Sequence, residues 1–122
     1  ANRVVGEVKG KDCVLVDDMI DTAGTITEAG KVLTKAGARK VIIVATHGIL
    51  SAPATSRLSE CGADEVVVTD TLPIPADKRF PTLTILSIAP LLARAALTDL
   101  GDLFLDAAHL PPGVGSVTSL FD

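Results

Sequence analysis

The chain has no tryptophan, no tyrosine and only three phenylalanines. Proteins that grip single-stranded nucleic acid stack bases on aromatic rings, so the composition argues against that class. Positive charge is also scarce: 11 lysines and arginines face 15 acids, a formal net charge of −4, whereas nucleic-acid binders carry a basic face. No uncharged apolar run reaches the roughly 18–20 residues that cross a bilayer. No charged segment followed by a short apolar stretch opens the sequence in the manner of a secretory signal. The expectation is a cytoplasmic protein with no nucleic-acid and no membrane partner. Cysteine is rare as well. Cys13 and Cys61 stand far apart without a C-x-x-C pair, and each reads as a small buried hydrophobe rather than half of a disulfide. With only His47 and His109 to add, they make no zinc site, and no protein-held metal is expected.

What is plentiful is small and branched aliphatic material. Hydrophobic residues make up 48% of the 122, enough for one domain spanning 1–122 with a real core. Short Val- and Ile-rich runs predict strands buried on both faces at 13–16, 41–45, 66–68 and 83–88, and Val4, Val5 and Val8 suit an edge strand. Ile26, Ala29, Val32, Leu33 and Ala36 recur at helical spacing, and Gly37 supplies a left-handed stop. Pro53 sits in the first turn of a second helix carrying Ala54, Leu58 and Cys61, which Gly62 ends. Pro90 opens a third helix to about residue 99, and a short one follows at 103–110 before Pro111-Pro112-Gly113. Residues 36–41 and 61–66 repeat one pattern, a cap, two charges and a Val-led strand, which implies successive right-handed βαβ units. The predicted fold is therefore α/β: a mostly parallel, twisted, doubly wound sheet in three layers, with helices on both faces.

The segment with chemistry is Val14-Leu15-Val16-Asp17-Asp18-Met19-Ile20-Asp21-Thr22-Ala23-Gly24-Thr25. In open α/β sheets ligands sit outside the carboxyl ends of the strands. Here a strand delivers Asp17 and Asp18 at its tip, followed by a small, hydroxylated, Gly-containing loop that enters a helix. The first turn of that helix offers unpaired N–H groups and the positive end of its dipole to a phosphate. Thr22 and Thr25 add hydroxyl donors, and Ala23 and Gly24 leave room for close approach. Ionised carboxylates only accept hydrogen bonds, so Asp17, Asp18 and Asp21 beside a phosphate suit the hydroxyls of a sugar. Ribose with its 5-phosphate over Asp21–Thr25 satisfies both halves.

The same segment resembles the phosphoribosyl-pyrophosphate motif of type I phosphoribosyltransferases and ribose-phosphate pyrophosphokinases. Residues 18–25, Ala-Thr-His-Gly-Ile-Leu-Ser at 45–51, Val-Val-Val-Thr-Asp-Thr-Leu-Pro at 66–73 and Leu-Ser-Ile-Ala-Pro-Leu-Leu-Ala at 86–93 resemble pyrophosphokinase segments in that family's order. The resemblance implies a phosphoribosyltransferase-like domain, the C-terminal, ribose-5-phosphate-binding half of an enzyme that transfers diphosphate from ATP to the 1-hydroxyl of ribose 5-phosphate, forming phosphoribosyl pyrophosphate. It implies Asp17, Asp18 and Asp21–Thr25 as the sugar-phosphate site, magnesium carried with the substrate, and a homo-oligomer. It also implies that the catalytic and ATP-binding groups lie outside this chain, which by itself is expected to be inactive. The tail resembles the family's C-terminal motif, making Ser116, Thr118 and Ser119 a candidate regulatory phosphate site. The segment 96–115 departs from the family pattern. The alternatives are a non-catalytic synthetase-associated regulatory subunit and, with less sequence to support it, a type I phosphoribosyltransferase.

Other residues carry weaker signals. His47 reads as a structural loop histidine with a chance of facing the ligand, and Thr69-Asp70-Thr71 reads as a turn that also suits a pocket rim. Asp77-Lys78-Arg79 reads as a solvated face, as do Arg3, Lys9 and Lys11.

Overall fold

A computed structural model describes residues 6–97. The chain divides into two compact units, Ala1–Ser87 and Ile88–Asp122. The first holds β1 (Asp12–Ile20), α1 (Gly24–Lys35), β2 (Lys40–Gly48), α2 (Ala54–Glu60), β3 (Glu65–Thr69), a 3-10 turn at Ala76–Lys78 and β4 (Leu83–Leu86). The second holds α3 (Ala89–Ala95), with Pro90 in its first turn, where the missing N–H costs nothing. Among the described residues, no helix is long and apolar enough to cross a membrane.

The four strands lie in the order β1-β2-β3-β4, and every neighbouring pair is parallel. Each strand is displaced the same way from the last. Right-handed crossovers that always step in one direction place their helices on one face. That face is the covered one: Val41, Ile43 and Ala45 of β2 and Val66 and Val68 of β3 are buried together with Ala54 and Leu58 of α2. A doubly wound, three-layer arrangement needs the strand order to reverse, and the strands of the first unit do not reverse. On the opposite face, among the described residues, Val16 is 77% exposed and Val14 and Leu86 are also exposed.

Helix α1 buries a stripe one residue over from the expected one. Thr27 and Gly30 are its buried residues, whereas Ala36 is exposed and Ile26 and Leu33 only half-buried. Gly30 faces β2, where a Cβ would meet Val41 Cγ1 at 3.8 Å and Ile43 Cδ1 at 3.9 Å, ordinary van der Waals contact. Thr27 can be buried because its hydroxyl donates to the carbonyls of Ala23 at 2.6 Å and Gly24 at 3.1 Å. Gly37 (φ 91°) and Gly62 (φ 80°) adopt the left-handed backbone expected of helix stops.

Several boundaries differ from expectation. β1 runs through Asp17 and Asp18 to Ile20, so the acids lie within the strand rather than at its tip. Backbone pairing decides this, since Asp17 and Met19 still pair with Ala45 and His47 of β2. For the same reason His47 is a strand residue and not part of a loop. Val8 belongs to no strand, its carbonyl instead accepting the Lys11 N–H in a turn. Pro53 precedes α2 as its N-cap. Cys61 is buried as expected, while Cys13 is only half-buried, and both are free thiols. Lys78 and Arg79 do more than face solvent: Lys78 Nζ donates to the Ile49 carbonyl at 3.1 Å, and Arg79 donates twice to that of Ile74 at 3.3 Å. Val4, Val5, Arg3, His109, Ser116, Thr118, Ser119 and residues 98–115 lie outside the described residues.

Leu58, 1% exposed, joins α2 to the sheet. Leu58→Ala is expected to cost about 2–5 kcal/mol of unfolding free energy in a urea titration. A loss under about 0.5 kcal/mol, typical of surface positions, would show that α2 does not form the core.

Candidate functional site

Because all four strands run the same way, Ile20, Gly48, Thr69 and Leu86 end at one edge of the sheet. Three residues, Asp21, Thr22 and Ala23, connect β1 to α1 there. So short a reversal is made by Ala23, which takes a left-handed conformation (φ 64°, ψ 15°) as the N-cap of α1. It is 6% exposed. A left-handed L-residue costs roughly 1–2 kcal/mol, which the surrounding hydrogen bonds offset. The Ala23 carbonyl accepts from both the Thr27 N–H and the Thr27 hydroxyl.

In front of this turn is an open cavity of about 240 Å³, lined by Asp17, Met19 and the run Ile20–Ile26. The structure thus brings together Asp17, Asp21, Thr22, Ala23, Gly24 and Thr25. No side chain caps the start of α1, and its first turn contains no acid. The turn therefore presents its backbone N–H groups and dipole to whatever occupies the hollow. Asp17, Asp18 and Asp21 do not serve as helix caps, so ordinary capping does not account for them.

Asp18 is left outside the lining. Its carboxyl nevertheless stays close enough to that of Asp17 for hydrogen bonding. The two remain linked through the backbone: the Asp18 N–H donates to Asp17 Oδ1 at 2.8 Å, and the Met19 N–H to Asp18 Oδ1 at 2.9 Å. Hydrogen bonding with the Asp17 carboxyl, then the Met19 N–H, holds the Asp18 carboxyl below the usual aspartate range, and the nearby His47 imidazole adds to this. Asp18 is therefore ionised at neutral pH.

At the same edge, His47 Nδ1 lies 2.7 Å from the Thr71 hydroxyl, and Thr69 Oγ1 donates to the Thr46 carbonyl at 2.6 Å. His47 and the 69–71 turn thus form one hydrogen-bonded group joining β2 to the loop after β3, and this bonding accounts for both. Among the described residues, no three His, Cys, Asp or Glu side chains converge as a metal site. Two contributors to the site carried no signal in the sequence. Thr27 is betrayed only by sitting four residues beyond Ala23, and Arg57 reaches the Thr22 carbonyl at 3.0 Å from 35 positions away.

A family model described as the phosphoribosyl synthetase-associated domain matches residues 2–98. The chain belongs to that family. It is 60% identical over its full length to a ribose-phosphate pyrophosphokinase of Bifidobacterium longum, covering 32% of that protein. It is 57% identical to one of Mycobacterium bovis, covering 34% of it. Among solved structures it resembles phosphoribosylpyrophosphate synthetase from Mycobacterium smegmatis, with a TM-score of 0.77 and 63% identity over 84% of this chain and 34% of that one. The chain thus spans about a third of the length of the curated relatives it matches. This family member shares the α/β fold of its relatives, with a parallel sheet.

Two outcomes follow for the turn and its acids. Ala23→Gly is expected to raise unfolding free energy by up to about 1 kcal/mol, because glycine accepts the left-handed angle without strain. A clear loss of stability would mean that the angle is not held in solution. A group with a lowered folded-state pKa adds stability above its unfolded value and loses it as pH falls through the folded one. For exposed Asp18 that effect is small, but its titration is visible. Carboxyl NMR is expected to place its midpoint below the ordinary aspartate value of about 3.9, and a midpoint at or above that value would rule out the two hydrogen bonds.

Proposed function

We propose that this chain is the sugar-phosphate-binding part of a ribose-phosphate pyrophosphokinase and holds ribose 5-phosphate, and the phosphoribosyl pyrophosphate formed from it, at Asp17 and Asp21–Thr25. The observation that carries this reading is the open hollow in which a helix start, free of acids, meets two carboxylates. Main-chain amides and the Thr22 and Thr25 hydroxyls suit the 5-phosphate, and the carboxylates of Asp17 and Asp21 suit sugar hydroxyls, which can donate to them. Asp18, outside the lining, serves through its bond to Met19 rather than by touching the sugar.

In the whole protein the reaction would be transfer of the diphosphoryl group of ATP to the 1-hydroxyl. The hydroxyl oxygen forms a bond to the β-phosphorus as the bond from that phosphorus to the α-phosphate side breaks, leaving AMP. This chain's part is to fix the sugar so that its 1-hydroxyl faces the incoming phosphorus, since alignment supplies much of the rate in such transfers. The donors here are hard carboxylate oxygens too few for a cage, which fits magnesium held largely by substrate phosphates. Its role there would be to neutralise phosphate charge.

The proposal extends to a C-terminal position in the whole enzyme, a third layer over the exposed face of the sheet and assembly into a homo-oligomer, as the sequence resemblance implies. In the same proposal Ser116, Thr118 and Ser119 form a regulatory phosphate site, as the resemblance of the tail implies. The family description, a synthetase-associated domain, favours one second reading: a non-catalytic subunit that regulates a catalytic partner. Co-elution with such a partner and altered turnover would support it.

Calorimetric titration of ribose 5-phosphate into the wild type and an Asp17→Asn, Thr25→Val double variant tests the site. The expected result is binding by the wild type and a loss of at least about tenfold in the variant, the equivalent of one charge-assisted hydrogen bond. Equal affinities, or no binding by either, would remove the case.

A further inference from the structure

The turn at the start of α1 is held from behind by the next helix. Arg57 of α2 donates Nη1 to the Thr22 carbonyl at 3.0 Å, and the same nitrogen lies 3.3 Å from where a Cβ on Gly24 would stand. Arg57 belongs to a separate hollow of about 310 Å³, shared with Gly24, Thr27, Glu28, Lys31 and Glu60, and not to the cavity lined by Asp17 and residues 20–26. It therefore lies on the far side of the loop and does not meet the proposed ligand.

Its bond nevertheless sets the direction of a group that does face the loop's interior. A trans peptide carries its C=O and N–H on opposite sides. Fixing the Thr22 carbonyl toward α2 turns the Ala23 N–H away from α2. The following residue, Ala23, is in the left-handed region, where an alanine is strained, so the peptide plane before it gains from an outside anchor. A guanidinium is a rigid fork of donors that keeps its charge at any physiological pH. It also adds a fixed positive charge behind an anion site without occupying it.

We infer that Arg57 is a positioning residue for phosphate binding, holding the 22–23 peptide so that its N–H, with those of the first turn of α1, converges on the anion. The inference rests on the ribose-5-phosphate reading above and adds to it a contributor from a different helix. A Cβ at position 24 would stand 3.3 Å from the Arg57 Nη1, a tight contact that glycine avoids.

The test is calorimetric titration of ribose 5-phosphate into the full chain as wild type, Arg57→Ala and Arg57→Lys, with thermal unfolding and amide NMR on each. Arg57→Ala is expected to weaken binding about three- to tenfold with an unchanged unfolding midpoint, and to shrink the ligand-induced shift of the Ala23 amide. Arg57→Lys should recover part of both, because an ammonium can still donate to the carbonyl. Wild-type affinity in Arg57→Ala would overturn the inference while leaving the site itself intact. A loss matched by a lowered midpoint and not relieved by lysine would also overturn it, making Arg57 a stability residue. A wild type that binds nothing would remove the sugar-phosphate reading and this inference together.

Discussion

Parallel pairing is the constraint on which the rest depends. When every strand points the same way, every strand-to-helix loop leaves from one edge, and polar residues far apart in the chain gather there. Asp17 and Met19 of β1 stand beside Ala45 and His47 of β2, with the 69–71 turn bonded to Thr46 and His47 beyond. The opposite edge is tied by other polar pairs: Arg39 with Asp12 at 2.7 Å, the Val41 N–H donating to Asp64 Oδ2 at 2.9 Å, and the Thr84 hydroxyl donating to Glu65 Oε1 at 2.9 Å.

Placing carboxylates next to the proposed phosphate site raises an electrostatic conflict that the geometry eases. The first turn of α1 is free of acids, while Asp17 and Asp21 sit along the strand and loop that border the hollow. An anion on the helix start and hydroxyls on the carboxylates would each meet the complementary partner. Asp18, which would add a third negative charge, turns out of the lining and satisfies its carboxylate on the Met19 N–H. Arg57 sits behind the loop and offsets part of the remaining charge.

The open face of the sheet belongs with the comparisons. Val14, Val16 and Leu86 are exposed on strands otherwise rich in buried valine and isoleucine, a composition suited to cover on both sides. The chain corresponds to about a third of its curated relatives. Among the described residues the sheet is apolar on both faces, with Val14, Val16 and Leu86 left exposed on one, and this is the ground for the proposed third layer.

Much of this could be read directly from the sequence, because local chemistry determines it. The Val- and Ile-rich runs, the glycine stops at Gly37 and Gly62, and the passage from strand through Asp21-Thr22-Ala23 into a helix all rest on preferences spanning a few residues. Strand ends were less legible. β1 continues past Asp17 and β2 past Ala45 because each is held by its neighbour's backbone, which a single run of residues cannot register. Sequence likewise could not tell that Asp17 lines the hollow and Asp18 does not, since that depends on where the hollow forms. The buried stripe of α1 fell on Thr27 and Gly30 because those positions face β2, which only the packing of the helix decides. What only tertiary structure decided is the rear anchor of the loop: Arg57 and Thr22 share no periodicity or motif, and they meet because two crossovers of like hand set α1 and α2 side by side on one face.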